Sequence, residues 1–210
     1  DIGARDREDA EKAVKIGDYV SFDSEVSTTG DLVKGKAFDN RAGCAALLEI
    51  LQKEYPFSFT VVFTVQEEVG IRGARAAAHR VNPRIALVLE TTGAMDIPGV
   101  KEQDISVKIG AGPAFTLMDD SFIAHPRIIE RLISVTEGLK KPYQFRRYTG
   151  SFTDAGAVAL AHSGVAVGVI STPCRYIHTP VSLLSQEDWR NLVEITDVFI
   201  RSIYEKGLKI

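Results

Sequence analysis

The sequence predicts an α/β fold, a three-layer sandwich around a mixed central sheet, and three observations lead there. β-branched and aromatic runs at Phe59–Val65, Ile85–Leu89 and Val165–Ile170 have the composition of buried strands. Ala-rich or amphipathic stretches with helical spacing lie between them, the alternation expected of an α/β sheet protein. With 45% hydrophobic residues in 210, the chain has enough apolar side chain to fill one core.

Taken in order, Arg7 to Lys15 reads as a short charged helix, Asp18–Asp23 as a strand and Thr28–Asp31 as a turn. Residues 1–36 are expected to be the tail of a separate, small β-rich module, with a boundary near Lys34-Gly35-Lys36. Asp39–Gln52 follows as a helix with Ala42, Ala45, Ala46, Leu47 and Ile50 on one side. Phe59–Val65 reads as a buried central strand, Gly73–Arg80 as a helix stopped by Asn82-Pro83, and Ile85–Leu89 as a second strand. Pro126–Lys140 is amphipathic, Tyr143–Tyr148 edge-like, Thr153–His162 helical and Val165–Ile170 again a strand. The last helix runs from Glu187 to Tyr204, with Ser185 as N-cap and Asp188 three residues on.

Composition excludes several classes of function. A formal net charge of -3 with balanced acids and bases offers no footprint for nucleic acid. The most apolar stretch, Gly156–Ile170, is interrupted by His162 and Ser163 and is shorter than the roughly 20 residues of a membrane span. The charged start Asp1–Asp6 is no secretory leader, and a chain without an initial Met is expected to continue from upstream sequence. Cys44 and Cys174 read as buried thiols of a cytoplasmic protein, too few for a disulfide framework or a thiolate zinc site. Gly110 and Gly112 do not form a phosphate loop, and no Gly-x-Ser-x-Gly elbow is present.

Ligands of open α/β sheets bind beyond the carboxyl ends of the strands. There the first strand runs into Glu67 and Glu68, the second into Glu90, and the third leads through Ser171-Thr172-Pro173 to His178, while Asp39 opens the first long helix. Each has an ordinary reading alone: Asp39 an N-cap, Glu67-Glu68 a solvated loop, Glu90 a strand-end charge, His178 a surface residue. Together they bring acids and an imidazole to one sheet edge. Burying them costs roughly several kcal/mol per ion unless cations neutralise the charge. Carboxylate and imidazole suit zinc, cobalt or manganese. One Asp bridges two metals about 3.5–4 Å apart in two-metal hydrolases.

Three stretches, Lys36-Ala37-Phe38-Asp39-Asn40-Arg41-Ala42-Gly43-Cys44, Val65-Gln66-Glu67-Glu68-Val69-Gly70-Ile71-Arg72-Gly73-Ala74 and Arg175-Tyr176-Ile177-His178-Thr179-Pro180, resemble the tetrahedral-shell (TET-type) aminopeptidases, the glutamyl and deblocking metalloaminopeptidases related to bacterial leucyl aminopeptidase. Thr92–Pro98, Gly110–Ala114 and Phe152–Ala155 match more loosely. The resemblance implies that residues 37–210 are the metallopeptidase catalytic domain and residues 1–36 the end of an inserted dimerisation domain. It implies Asp39 as the ligand bridging two divalent metals, zinc or cobalt, with Glu68 and His178 on one, Glu90 on the other, and Glu67 as general base. It also implies peptide substrates with a free N-terminus and a homo-oligomeric shell built from dimers.

Two departures shape these expectations. The family commonly carries Asp where this chain has Glu90, and its other metal-binding His lies upstream of the insert, in sequence this chain does not include. His79 and His162 read as packing or surface residues and His125 as a helix start. Thr153-Asp154 and Arg175-Tyr176 read equally as neighbours of the site or as ordinary structure. The alternatives are a related two-metal acylamino-acid deacylase and a non-catalytic shell subunit or inactive fragment with an incomplete metal site. Loss of upstream strands would leave apolar surface exposed on the Phe59–Val65 sheet.

Overall fold

The sheet is organised around its longest strand, β6 (Ala166–Arg175), in a computed structural model that describes residues 1–208 and 210. β3 (Ile85–Gly93) runs parallel to it in continuous register, from Ile85 opposite Ala166 to Gly93 opposite Cys174. β6 also pairs antiparallel with β4 (Ala114–Thr116), beyond which β5 (Gln144–Phe145) lies parallel, and with β7 (Ser182–Ser185). The hairpin of β1 (Ser27–Thr29) and β2 (Leu32–Gly35) extends the same sheet, β2 pairing antiparallel with β7. The sheet is therefore mixed, as the sequence predicts.

Helices cover it: α2 (Phe38–Leu51), α4 (Pro126–Gly138) and α6 (Gln186–Lys206) form one packed group, and α3 (Arg72–Val81) with α5 (Asp154–Ala159) another. A short α1 (Arg7–Ala13) is N-capped by Asp6, whose side chain accepts from the Asp9 amide. The capping expected at the last helix is present, with the Asp188 amide donating to Ser185 Oγ at 3.0 Å. His125 caps α4, its Nδ1 accepting from the Arg127 amide. The main core cluster fully encloses Phe115, Ile128, Leu132, Val169, Ile170, Leu192 and Ile195, and a small second one gathers Ala94, Val107 and Ala114. Each such side chain contributes about 1.5–3 kcal/mol on leaving water.

Three expectations need correction. Phe59–Val65 is extended but pairs with no strand among the described residues, and Phe59, Val62, Phe63 and Val65 are exposed. A β-branched run reports a liking for pleated, buried surroundings; whether an edge stands beside it to accept its hydrogen bonds is a tertiary matter. Asp18–Asp23 is likewise no strand, held chiefly where Lys36 Nζ donates to Ser21 Oγ at 3.1 Å and to the Phe22 carbonyl. Cys44 is exposed, since α2 buries Ala42, Gly43, Ala46 and Ile50 and turns Cys44 toward an open trough; Cys174 is buried, its thiol pushed up to about 12 by burial. Smaller shifts are the shortening of Tyr143–Tyr148 to β5 and the reach of β3 and β6 into the predicted site loops.

One ion cluster ties the end of α2 to α6. Asp197 accepts from Lys53 Nζ at 2.7 Å, Tyr55 OH at 2.8 Å and Arg201 Nε at 2.9 Å. Burial alone would raise its carboxyl, but these donors outweigh burial and hold it below the ordinary value of 3.8. A depressed carboxyl contributes stability above its unfolded pKa and loses it as pH falls through the folded one. Asp197→Ala should therefore lower unfolding stability by about 1–3 kcal/mol at neutral pH. In urea titrations the gap to wild type should narrow once the pH drops below 3.8.

Candidate metal centre

Asp39 stands where α2 fails to start as a helix. Ala37 holds a left-handed backbone (φ 54°), and Asp39 (ψ 110°) and Asn40 (ψ 46°) leave helical geometry before the helix proper begins. The Asp39–Asn40 peptide is cis. Asn40, which the sequence reading did not single out, bonds in several directions: Nδ2 donates to Glu90 Oε2 at 2.9 Å and to the Leu89 carbonyl, while Oδ1 accepts from the Gly43 amide and, at 3.4 Å, from Thr91 Oγ1. The close approach explains Gly43, where a Cβ would lie 2.4 Å from Asn40 Oδ1 and 2.7 Å from the Leu89 carbonyl oxygen.

Glu67 and Glu68 follow the extended segment and a left-handed Gln66 (φ 61°). Amides of Gly70 and Ile71 close a turn onto the Glu67 carbonyl, and the Gly73 amide reaches the Val65 carbonyl at 2.9 Å. A Cβ on Gly73 would fall 2.4 Å from that oxygen, so the start of α3 packs directly on the acids' own backbone. His178 leaves the end of β6 on a loop with Tyr176 (φ 58°) and His178 (φ 60°) both left-handed. Non-glycine residues in this region cost about 1–2 kcal/mol each and gather where a site over-determines its backbone.

The His178 loop is anchored at its root. Arg175 Nε and Nη2 grip Asp96 Oδ1 and Oδ2 at 2.8 and 2.7 Å, and Asp96 also accepts from the Ile109 amide. Burial would raise the Asp96 carboxyl, yet Arg175 and the Ile109 amide hold it below its ordinary value. Thr179 and Ser182 hydroxyls both donate to the Tyr176 carbonyl. This explains the Arg175-Tyr176 motif as the foot of the loop.

The resulting geometry brings three predicted residues together. Donor atoms of Asp39, Glu68 and His178 lie within 4.8 Å of one another, with His178 Nε2 3.0 Å from Asp39 Oδ2 and 3.6 Å from Glu68 Oε2. Glu67 and Glu90 line the same trough, a cavity of about 910 Å³, but stand outside that triad. Asp154 is a further acid there, with one carboxylate oxygen buried and unpartnered. His79 and His162 instead stack at 4.4 Å. Together with His125 they belong to no cluster of ligating groups among the described residues.

Electrostatically the site is overcharged. Burial first, and then Glu68, Asp154 and Asp39, push Glu67 up to about 7. Burial, then Asp39, Glu67 and Asp154, hold Glu90 well above the ordinary range. Asp39 is raised by burial and Glu68 against the pull of His178, and Asp154 by burial against the Thr64 bond. Oxygen and imidazole donors with unneutralised negative charge fit a divalent cation.

Fold and donor set fit the metallohydrolase class of α/β proteins. The chain belongs to the M42 glutamyl aminopeptidase family, whose profile matches residues 1–195. A TET aminopeptidase from a marine sediment Thaumarchaeota archaeon is 37% identical and superposes with a TM-score of 0.92 over 99% of this chain and 60% of its own. Pyrococcus horikoshii TET1 peptidase, described as assembling into a tetrahedron or a large octahedral shell, is 29% identical with a TM-score of 0.77 over 94% of this chain and 58% of its own. The glutamyl aminopeptidase of Lactococcus lactis subsp. cremoris is 31% identical over 202 residues, 93% of this chain and 54% of that protein. The chain thus spans less than two thirds of the length of each relative. No helix among the described residues is long and apolar enough to cross a membrane.

The raised carboxyls set a pH dependence with the opposite sign from Asp197. A carboxyl whose folded pKa exceeds its unfolded one is best tolerated protonated, so stability falls as pH rises from 4.5 toward about 7, the window of Glu67. In chelator, Glu67→Gln should melt several degrees above wild type at pH 8, at about 2–4 °C per kcal/mol relieved. The two should coincide at pH 4, where the carboxyl is already neutral. Thermal melts at both pH values check this.

Proposed function

We propose that this protein is a metal-dependent aminopeptidase, removing N-terminal residues from peptides with Asp39, Glu68, Glu90 and His178 as ligands of two divalent cations, zinc or cobalt. The observation that carries the reading is the convergence of Asp39, Glu68 and His178 from three separate segments onto one point, beside a cavity lined by Asp39, Glu67, Glu68 and Glu90. Glu90 supplies an oxygen where the family commonly has Asp, and Asn40 holds it in place. Cations bound there supply charge neutralisation, acidification of water and polarisation of a carbonyl.

Glu67 acts as the general base. It is free of the triad, lies beside it in sequence and cavity, and is poised near neutrality, so it takes a proton from water and later returns it to the leaving amine. The acid-lined end of the trough suits an α-amine, and an N-blocked peptide brings an amide with no positive charge to match it. This separates the reading from a deacylase.

We further propose that residues 1–36 are the end of a dimerisation module and that the protein forms a homo-oligomeric shell in the cytoplasm. Ile16, Tyr19, Val20 and Phe22 hold apolar side chains 67–107% exposed, surface that favours a partner. The shell geometry described for the Pyrococcus horikoshii relative is the precedent.

Chelation should abolish hydrolysis of free peptides, and zinc or cobalt should restore it; N-acetylated peptides should not be cleaved. Glu67→Gln should lose roughly 10²-fold or more in turnover while keeping its metal. Glu68→Gln should lose metal as well. Elemental analysis beside steady-state kinetics reads both, and full activity in the metal-free protein would overturn the proposal.

A further inference from the structure

The acids Glu67 and Glu68 sit at the end of a segment that lacks a sheet ladder. Its beginning is pinned by aromatic contacts, Phe57 stacking on Tyr204 at 4.3 Å and Phe59 meeting Tyr55 edge-on at 4.9 Å. Beyond Glu67 the chain is fastened to its own following turn and to the start of α3. Between these ends, one side-chain hydrogen bond ties residues 60–66 to the rest of the described structure: Thr64 Oγ1 donates to Asp154 Oδ2 at 2.5 Å. An ionised acceptor makes that bond strong.

Asp154 is a firm anchor. It is 93% buried, being 7% exposed. The residue before it, Thr153, donates from Oγ1 to the buried Asp119 at 3.3 Å. Asp119 in turn is fixed by the Ser121 amide, the Ser121 hydroxyl and the Phe122 amide. A relay thus runs from the Asp119 loop through Thr153 and Asp154 to Thr64, three residues before Glu67.

The second oxygen of Asp154 has no partner, although it is buried and Asp154 lines the acid-walled trough. Native structures seldom leave such an atom bare, and of the five bare buried side-chain atoms among the described residues that of Asp154 is the one carboxylate oxygen. Asp154 shares the lining of that trough with Glu67 and Glu90.

We infer that Asp154 is a two-sided positioning residue: through Thr64 one oxygen fixes the chain end that presents Glu67 and Glu68, and the other steadies a cation held by the acids of the trough. It rests on the metallopeptidase reading for what the site does, and on the Thr64 bond and the bare oxygen for where it acts. Losing an outer-sphere partner of this kind typically costs 10–100-fold in activity or metal affinity.

Two substitutions separate the two oxygens. Thr64→Val removes the clamp and leaves the charge; kcat should fall about tenfold with KM and metal content unchanged. Amide exchange across residues 63–70 should quicken, and Thr64→Ser should restore both. Asp154→Asn keeps an oxygen for Thr64 but removes the charge; a zinc dissociation constant, measured calorimetrically, should rise about tenfold while exchange across residues 63–70 stays slow. Unchanged exchange and kcat in Thr64→Val, with only a lower melting temperature, would overturn the clamp. Unchanged zinc affinity in Asp154→Asn would overturn the second role. Exchange and zinc titration need no turnover, so a wild type that binds zinc without cleaving peptides would sink the peptidase reading and leave this test intact.

Discussion

The withdrawal of several carboxylates from water at one trough is the constraint around which the rest of this structure is arranged. Asp39, Glu67, Glu90 and Asp154 all have carboxyls above their ordinary values, and burial is the first cause in each. Folding alone would scatter such groups into water, because every one opposes the compact state at neutral pH. Their neighbours hold them inward. Asn40 binds Glu90, the Arg175–Asp96 pair roots the His178 loop, and Gly43 and Gly73 let backbone press where a Cβ would collide. The left-handed Ala37, Gln66, Tyr176 and His178 add a local cost at the same segments. A fold that spends stability this way on one point is organised for the cations that relieve it.

The sheet determines where that point falls. β3 and β6 run parallel, so their carboxyl ends deliver Glu90 and the His178 loop to the same side. β3 is hydrogen-bonded to β6 along one edge, and across the trough from it lies the unladdered segment 57–65. The trough is apolar along its length, with Leu47, Ile50, Val61, Ile85 and Leu87 among its walls, and acidic at its end. Apolar walls sharpen every charge interaction at the acid end, because little polarisable solvent stands behind the carboxylates.

Much of this was legible before any coordinates. Apolar β-branched runs marked β3 and β6, helical spacing marked α2, α3, α4 and α6, and Ser185 before Asp188 announced the cap of α6, because local propensity and tertiary demand agree there. Phe59–Val65 misled because its propensity is genuine while its hydrogen-bonding partner is not among the described residues. The triad could be anticipated from strand-end position and motif. Asn40 could not, since its part depends on an amide rotamer and a non-helical turn, although it lay within a matched stretch beside Asp39. Asp154 was visible only as part of a Thr-Asp pair with an equal structural reading. Its distinction, one satisfied oxygen and one bare, is a property of packing alone.

In the proposed function the adjacent pair Glu67-Glu68 divides two tasks. The left-handed Gln66 sets the pair at the mouth of the turn into α3, closed by the Gly70 and Ile71 amides on the Glu67 carbonyl. Glu68 thereby meets His178, 3.6 Å away, and joins Asp39 in the triad. Glu67 stands outside the triad, raised by burial first and then by the charges of Glu68, Asp154 and Asp39. A group bound tightly by a cation is a poor proton acceptor, and one left entirely in water stays too acidic to hold a proton near neutrality. Glu67 escapes both fates by sitting one residue short of the triad and inside its field. The proposed base and the proposed ligand thus need to be neighbours in sequence, and the Thr64–Asp154 bond lies where it can preserve the difference between them.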